Sequence, residues 1–417
     1  MPASDLRRTL GVLRGTSVLL TIVIGAGLLT LPGLAVGAAG DHALVAWLAC
    51  AVLALPLLAI FILLGRRHPE AGGIAAYADR AFGRTGREIA GILFLGAVAF
   101  GLPSIALVGG HYAASVLDGS PHLWAALLIA GALVPHLIPG DGAARAMSVV
   151  ASAVLGVILL FLAAGFLGTE PSPAGFAPLP ADLEIARLVA PMMMIFFAFT
   201  GWEVGAGIAE EFRDPRRDYT LAMVASFTIA VALYAAIAWL AQTRDLAGLH
   251  EAPFVAILRP MLGEAGAIAV AATAVLIVLA NLSGAVWGVS RMVFGLAREG
   301  TLPAALAATR GGRPLVAVAV TVATLLAVLA ADAIGAFGLG SMLALAGQNF
   351  VVLFAVAAAC LVVIADRLLE RILGATAVVV VCALLALQGV ALAYPAALAL
   401  LAVAAAMLRG RRRRRGA

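Results

Sequence analysis

The chain contains no lysine: all 27 basic residues among its 417 are arginine. Charge of either sign is scarce, at 12% of residues, whereas 64% are hydrophobic and the mean hydropathy is +1.10. So little polar surface cannot cover a soluble domain, which excludes that class and points to a polytopic, all-α membrane protein. Only three cysteines occur, Cys50, Cys360 and Cys382, each inside an apolar run, and their spacing supports neither a disulfide framework nor a thiolate metal centre. The six histidines stand singly with no i, i+4 pair, so no metal ligand is assigned. A P-loop is missing, which removes ATP-driven pumping, and no nucleophile stands beside a base. No catalytic residue and no cofactor are therefore expected, and the chain does not read as an enzyme.

What is present is a succession of apolar runs long enough to cross a bilayer, about 20 residues each. Breaks at charges and at Pro/Gly clusters divide them into twelve candidate spans, at about 10–38, 42–65, 86–117, 121–139, 145–168, 184–210, 218–242, 262–297, 314–331, 335–365, 372–390 and 392–408. The first run is too long, and too poorly provided with a small-residue exit, for a cleaved signal peptide, so it is expected to remain as a span. With the N-terminus inside, all arginines but Arg187, Arg244 and Arg259 fall on inner segments. The positive-inside rule then places both termini in the cytoplasm, and a count wrong by one span would scramble the asymmetry. The terminal "RGRRRRRGA" reads as a topology anchor meeting anionic lipid head groups rather than as a nucleic-acid patch.

Two spans break their own pattern. The first, "TSVLLTIVIGAGLLTLPGLAVGAAG", carries Gly25-Ala26-Gly27 near its middle, and the sixth carries Phe199-Thr200-Gly201. Glycine weakens a helix and admits close backbone approach, but unwinding in lipid is tolerated only where the freed N–H and C=O groups find partners. Small residues also serve helix packing, so one such triplet is weak evidence. Position strengthens it: the two breaks open successive sets of five spans, and an odd number of crossings inverts the second set. Interrupted segments at matching places in two inverted halves point to a transporter's central site. A half-helix starting near Gly27 presents N–H groups to a carboxylate, and half-helices ending near Ile24 and Phe199 present carbonyls to an ammonium, which suits an amino acid.

The segments "FFAFTGWE" followed by "EEFRDPRRD", the loop "RRHPEAGGIAAYADRAFG" after the second span, and "SRMVFGLAREGTLP" closing the eighth resemble landmarks of the amino acid-polyamine-organocation superfamily. Within it the chain is similar to bacterial inner-membrane exporters of L-methionine and branched-chain amino acids, over nearly its full length. The resemblance implies a LeuT-like fold of five plus five inverted helices with two accessory ones, hence a first repeat at about 10–168, a second at about 184–365 and accessory helices at about 372–408. By motif position it implies that Gly25, Ala26 and Gly27 hold the substrate carboxylate, that Phe199, Thr200 and Gly201 offer carbonyls to its ammonium, and that Phe197 gates the site. Glu203 matches a position where some relatives carry an acid linked to proton coupling. The fifth-span lysine of some relatives is absent here, so that coupling device is missing; sodium binding through Ser283 or Ser290 stays open.

Glu203 also stands out on physical grounds, because a carboxylate in a membrane costs roughly 3 kcal/mol or more and is functional, paired or protonated. Its alternative role is a hydrogen bond to a neighbouring helix. Asn281 with Ser283, and Gln348 with Asn349, place further polar groups in apolar spans, as secondary contacts or as glue between helices. Arg213, Arg216 and Arg217, interleaved with acids, read as an inner cap. Met192 to Met194 read as adaptable packing rather than a copper site, since consecutive residues face different sides of a helix. The reading is a secondary transporter of neutral apolar amino acids working by proton antiport, with protons as coupling ion and export as direction. Uptake or exchange by the same fold is the alternative, and a sensor or channel a further one.

Overall fold

In the computed structural model, residues 10–24, 27–69, 73–137, 156–168, 184–310, 313–386 and 393–415 are described. Among them the regular structure is helical, with two isolated backbone bridges as the sole β-type pairing. The helices are α1 (Val12–Val23), α2 (Gly27–Ala39), α3 (Ala43–Arg67), α4 (Gly73–Ala114), α5 (Pro121–Leu137), α6 (Gly156–Gly168), α7 (Ile185–Phe196), α8 (Trp202–Gly207), α9 (Asp218–Thr243), α10 (Pro253–Arg298), α11 (Leu315–Ala333), α12 (Leu339–Ile364), α13 (Leu368–Ala386) and α14 (Ala393–Arg415). They account for the twelve expected spans, because α1 with α2 and α7 with α8 are the halves of the two interrupted ones. Among the described residues, seven helical stretches are long and apolar enough to cross a membrane outright, and the shorter apolar helices include Gly156–Gly168, Ile185–Phe199 and Ala393–Ala404. Part of the expected fifth span, before Gly156, lies outside the described residues. The last helix runs on through the arginine run to Arg415.

Two helices carry a break that the hydropathy pattern does not show. In α4, Gly83 has φ 68 and ψ −164, and in α10, Gly263 has φ 64 and ψ −169. This backbone region is nearly closed to residues with a Cβ, so each glycine turns a short helix into a long span. The surrounding residues match as well: Phe82-Gly83-Arg84-Thr85-Gly86 in one half, Leu262-Gly263-Glu264-Ala265-Gly266 in the other. Each half therefore runs broken helix, span, short helix kinked into a long span, and two further helices. The short piece before Gly83 folds back against the bundle; Tyr77 at its centre is buried and its hydroxyl donates to Ala206 O at 3.4 Å.

Lipid is as apolar as leucine, so helices here associate through close packing and buried hydrogen bonds. One group forms around α9, which packs on α1, α2 and α3, with α7 seated on α2 and α3. A second forms around α4, packed on α5, α10, α11 and α14, and α12 touches both groups through α4 and α7. Gly65 shows how tight the first group is: a Cβ there would sit 2.7 Å from Tyr219 Cε1. At the start of α1, Leu10 N–H donates to Glu211 O at 3.0 Å and Arg213 N–H to Leu10 O at 2.9 Å, tying the first broken helix to the connector after the second. Arg213 thus takes part through its backbone, and Arg216 and Arg217 cap a turn by donating their N–H groups to Asp214 Oδ1.

Candidate functional site

Between the two groups lies a cavity of about 560 Å³. The first break supplies Val23, Ile24, Gly27 and Leu28 to its wall, and the second supplies Phe197, Ala198, Thr200, Gly201 and Glu203. Phe94, Val98, Leu102 and Ile105 of α4 line it together with Ile277 and the small residues of α10. Among the described lining residues Glu203 is the one charged group, and the other polar side chains are Thr200, Tyr234 and Asn281.

The second break is built residue by residue. A single 3-10 turn, Phe197–Phe199, ends α7, and Thr200 closes it by donating both its hydroxyl, at 2.8 Å, and its N–H, at 3.3 Å, to Phe197 O. Gly201 follows with φ 107, a left-handed conformation that favours glycine, and so lets α8 restart in a new direction. Glu203, 6% exposed, accepts the Gly201 N–H on both carboxylate oxygens, at 3.0 and 2.9 Å. Its carboxylate thus occupies the amide that the unwound turn frees. The carbonyl of Gly201 is taken by Gly205 N–H at 3.0 Å, so Gly201 faces the cavity without the idle carbonyl expected of it.

The first break is shaped from both sides. Ile24 N–H still donates to Leu20 O at 2.7 Å, Gly25 and Ala26 lie outside the described residues, and α2 begins at Gly27 on the cavity wall. A Cβ on Gly27 would stand 3.2 Å from Leu31 Cδ1 and 3.7 Å from the ring of Phe197. Phe197, expected as an aromatic gate, reaches across to Phe350 of α12 with ring centroids 6.2 Å apart and lies over Gly101. Phe350 meets Phe94 edge-on at 6.0 Å, closing one side of the cavity with three rings.

Other expected residues go elsewhere. Phe199 is buried and turned away from the cavity, packed among Trp47, Phe196, Phe227 and Tyr234. Ser283 is absent from the cavity wall and donates to Leu279 O at 2.9 Å, as Ser290 does to Trp287 O at 3.0 Å. Gln348 and Asn349 are buried in α12 away from the cavity; Asn349 donates to Leu345 O at 2.9 Å. The reason is rotational: on a helix only one stripe can face a cavity, and for α12 that stripe reaches it through Phe350 alone.

Tyr234 is the principal residue that the sequence reading passed over. Its hydroxyl donates to Ala198 O at 2.7 Å and leans toward Val23 O at 3.3 Å, so one phenol links the last turns before both breaks. The signal was a single buried phenol in "VALYAAIAW", indistinguishable in sequence from an ordinary membrane tyrosine. A second cavity, about 300 Å³, is lined by Gly73, Ile74 and Ala75 of the fold-back helix and shares Phe94, Glu203 and Met292 with the first. Glu203 therefore stands between two cavities.

A family model described as amino acid permease matches residues 10–408. The chain belongs to this amino acid permease family, within the amino acid-polyamine-organocation superfamily. The permease is 31% identical over 306 residues to an uncharacterized amino acid permease of Bacillus subtilis (strain 168), covering 72% of this chain and 71% of that one. It is 30% identical over 233 residues to an L-methionine/branched-chain amino acid exporter of Escherichia coli (strain K12), a match spanning 55% of each chain. It is 21% identical over 328 residues to a serine/threonine exchanger of Bacillus subtilis (strain 168), covering 72% of this chain and 70% of that one. The permease is thus a multi-pass membrane protein whose family transports amino acids.

Proposed function

We propose that this permease is a secondary transporter of neutral, largely apolar amino acids, methionine, leucine, isoleucine and valine, and that it exports them by proton antiport. The observation that carries this reading is the cavity: two interrupted helices supply its polar backbone, and apolar side chains supply most of the rest of its wall. No described arginine lines it to meet an acidic substrate, and its one acid is engaged with Gly201. The substrate carboxylate is assigned to Gly25, Ala26 and Gly27; at Gly27, where α2 begins, N–H groups and the helix dipole favour an anion. The ammonium is assigned to the carbonyl ends of α1 and α7, and Phe197 to the gate above it.

Glu203 is assigned the proton. A carboxylate cut off from water without a cationic partner is costly as an anion, so closure of the site favours the neutral acid and hydration its release of a proton. Protonation from outside and release toward the cytoplasm would let proton entry drive amino acid exit. The chain is placed in a bacterial inner membrane with both termini cytoplasmic, with repeats at about 10–168 and 184–365 and accessory helices at about 372–408. Export is supported by the similarity to the Escherichia coli exporter, and exchange, the second reading, by that to the Bacillus subtilis exchanger.

The test is counterflow in proteoliposomes loaded with labelled methionine under imposed pH and sodium gradients. Leucine, isoleucine and valine are expected to compete, whereas lysine, arginine, aspartate and glutamate are not. Strong competition by arginine would overturn the substrate class, and uphill movement driven by sodium alone would overturn proton coupling.

A further inference from the structure

The face that α10 turns to the cavity contains two positions with no side chain. Ile277, Ala280, Asn281, Gly284, Gly288 and Met292 recur there at helical spacing, in a cavity whose wall also carries Val98 and Leu102 of α4. Glycine inside a helix lowers its stability relative to alanine, so two of them near the middle of a long span need a reason. Backbone conformation is not the reason, because neither Gly284 nor Gly288 has a positive φ. Packing among described residues is not the reason either, because a Cβ built on either one meets no atom within 4 Å. Elsewhere in the molecule the neighbour is plain: a Cβ on Gly65 would strike Tyr219 and one on Gly101 would come 3.0 Å from Phe197.

We infer that Gly284 and Gly288 are the size selectors of the cavity: the substrate side chain lies along the bare α10 backbone at these two positions. The inference rests on the reading of the cavity as an amino acid site. The missing side chains leave a strip of helix backbone facing aliphatic residues, which admits a long or branched apolar side chain without presenting it a polar partner. Filling the strip one carbon at a time removes room for the largest side chains first and leaves room for alanine. Each methylene excluded from an apolar pocket is worth about tenfold or more in discrimination.

The experiment compares Gly284→Ala, Gly284→Val, Gly288→Ala and Gly288→Val with the unaltered protein in proteoliposome counterflow, using labelled alanine, valine, leucine and methionine. Gly295→Ala is the control: Gly295 lies on the same helix, also has no atom within 4 Å of a built Cβ, and does not line the cavity. Folding is followed by thermal melting of the detergent-purified variants, and alanine, which favours helix, is expected to preserve it. The expected result is a methionine-to-alanine transport ratio that falls by about tenfold with alanine and further with valine at positions 284 and 288, and is unchanged by Gly295→Ala. An unchanged ratio in folded variants, or an equal loss for alanine and methionine, would overturn the inference. If the unaltered protein carries none of the four amino acids, the functional reading fails instead.

Discussion

Replacing Tyr234 by phenylalanine removes a single hydroxyl and keeps the ring. The ring's neighbours, Trp47 at 5.3 Å and Phe199 at 5.2 Å between centroids, remain in contact, so apolar packing is conserved. What is lost is the donor shared by Ala198 O at 2.7 Å and Val23 O at 3.3 Å. A buried hydrogen bond contributes about 1 kcal/mol net, whereas leaving a carbonyl stranded without a partner costs about 1–3 kcal/mol. The longer bond adds little to this, and Val23, Ala198 and Tyr234 all line the cavity, so water can reach part of the stranded surface. A destabilisation of about 1–2 kcal/mol therefore falls on the substrate-free state, equivalent to roughly a tenfold shift in the balance between linked and separated breaks. An ammonium entering the cavity would supply the missing donors, so the substrate is expected to restore more stability to the variant than to the unaltered protein. The assay is thermal melting of detergent-purified protein with and without methionine, alongside counterflow. A lower melting temperature without substrate and a larger methionine-induced rise are expected. Identical melting behaviour of the two proteins in both conditions would refute the argument that the phenol holds the breaks together.

Gly201→Ala forces a Cβ into a left-handed turn at φ 107, at a cost of about 1–2 kcal/mol, and is expected to lower counterflow about tenfold, with Gly201→Asn milder; equal activity of all three proteins would contradict this. Gly83→Ala and Gly263→Ala place the same strain in near-identical conformations, so each is expected to lower stability by about 1–3 kcal/mol and by similar amounts, read by melting of the purified variants. Glu203→Gln keeps an acceptor for Gly201 N–H but cannot release a proton; exchange is expected to persist while net efflux loses its dependence on an imposed pH gradient, and retained pH-driven uphill efflux would return Glu203 to a capping role. Gly27→Leu brings a side chain onto Leu31 and Phe197 and is expected to abolish transport in a protein that still inserts, as checked by membrane-fraction yield beside counterflow.

Class and layout are written in the order of the amino acids. Long apolar runs and one-sided arginines record a solvent, the bilayer, that acts on every residue in the same way, so span number and the two interruptions are readable without knowing which helices touch. The matched kinks at Gly83 and Gly263 were present in the sequence as two F/L-G-x-x-G patterns, yet among 45 glycines they carry no label until the dihedral angles show them alike. Direction around each helix, by contrast, depends on how the helices pack. Phe197 and Phe199 are two residues apart, and one faces the cavity while the other is buried among Trp47 and Tyr234. Asn281 lines the wall and Ser283 does not; Phe350 does, and Gln348 and Asn349 do not. A membrane span offers little amphipathic contrast between faces, because lipid and protein interior are both apolar, so the hydropathy pattern that locates a helix cannot orient it. Tyr234 required still more: its role depends on two carbonyls, from Val23 and Ala198, brought to one hydroxyl by helices far apart in the chain.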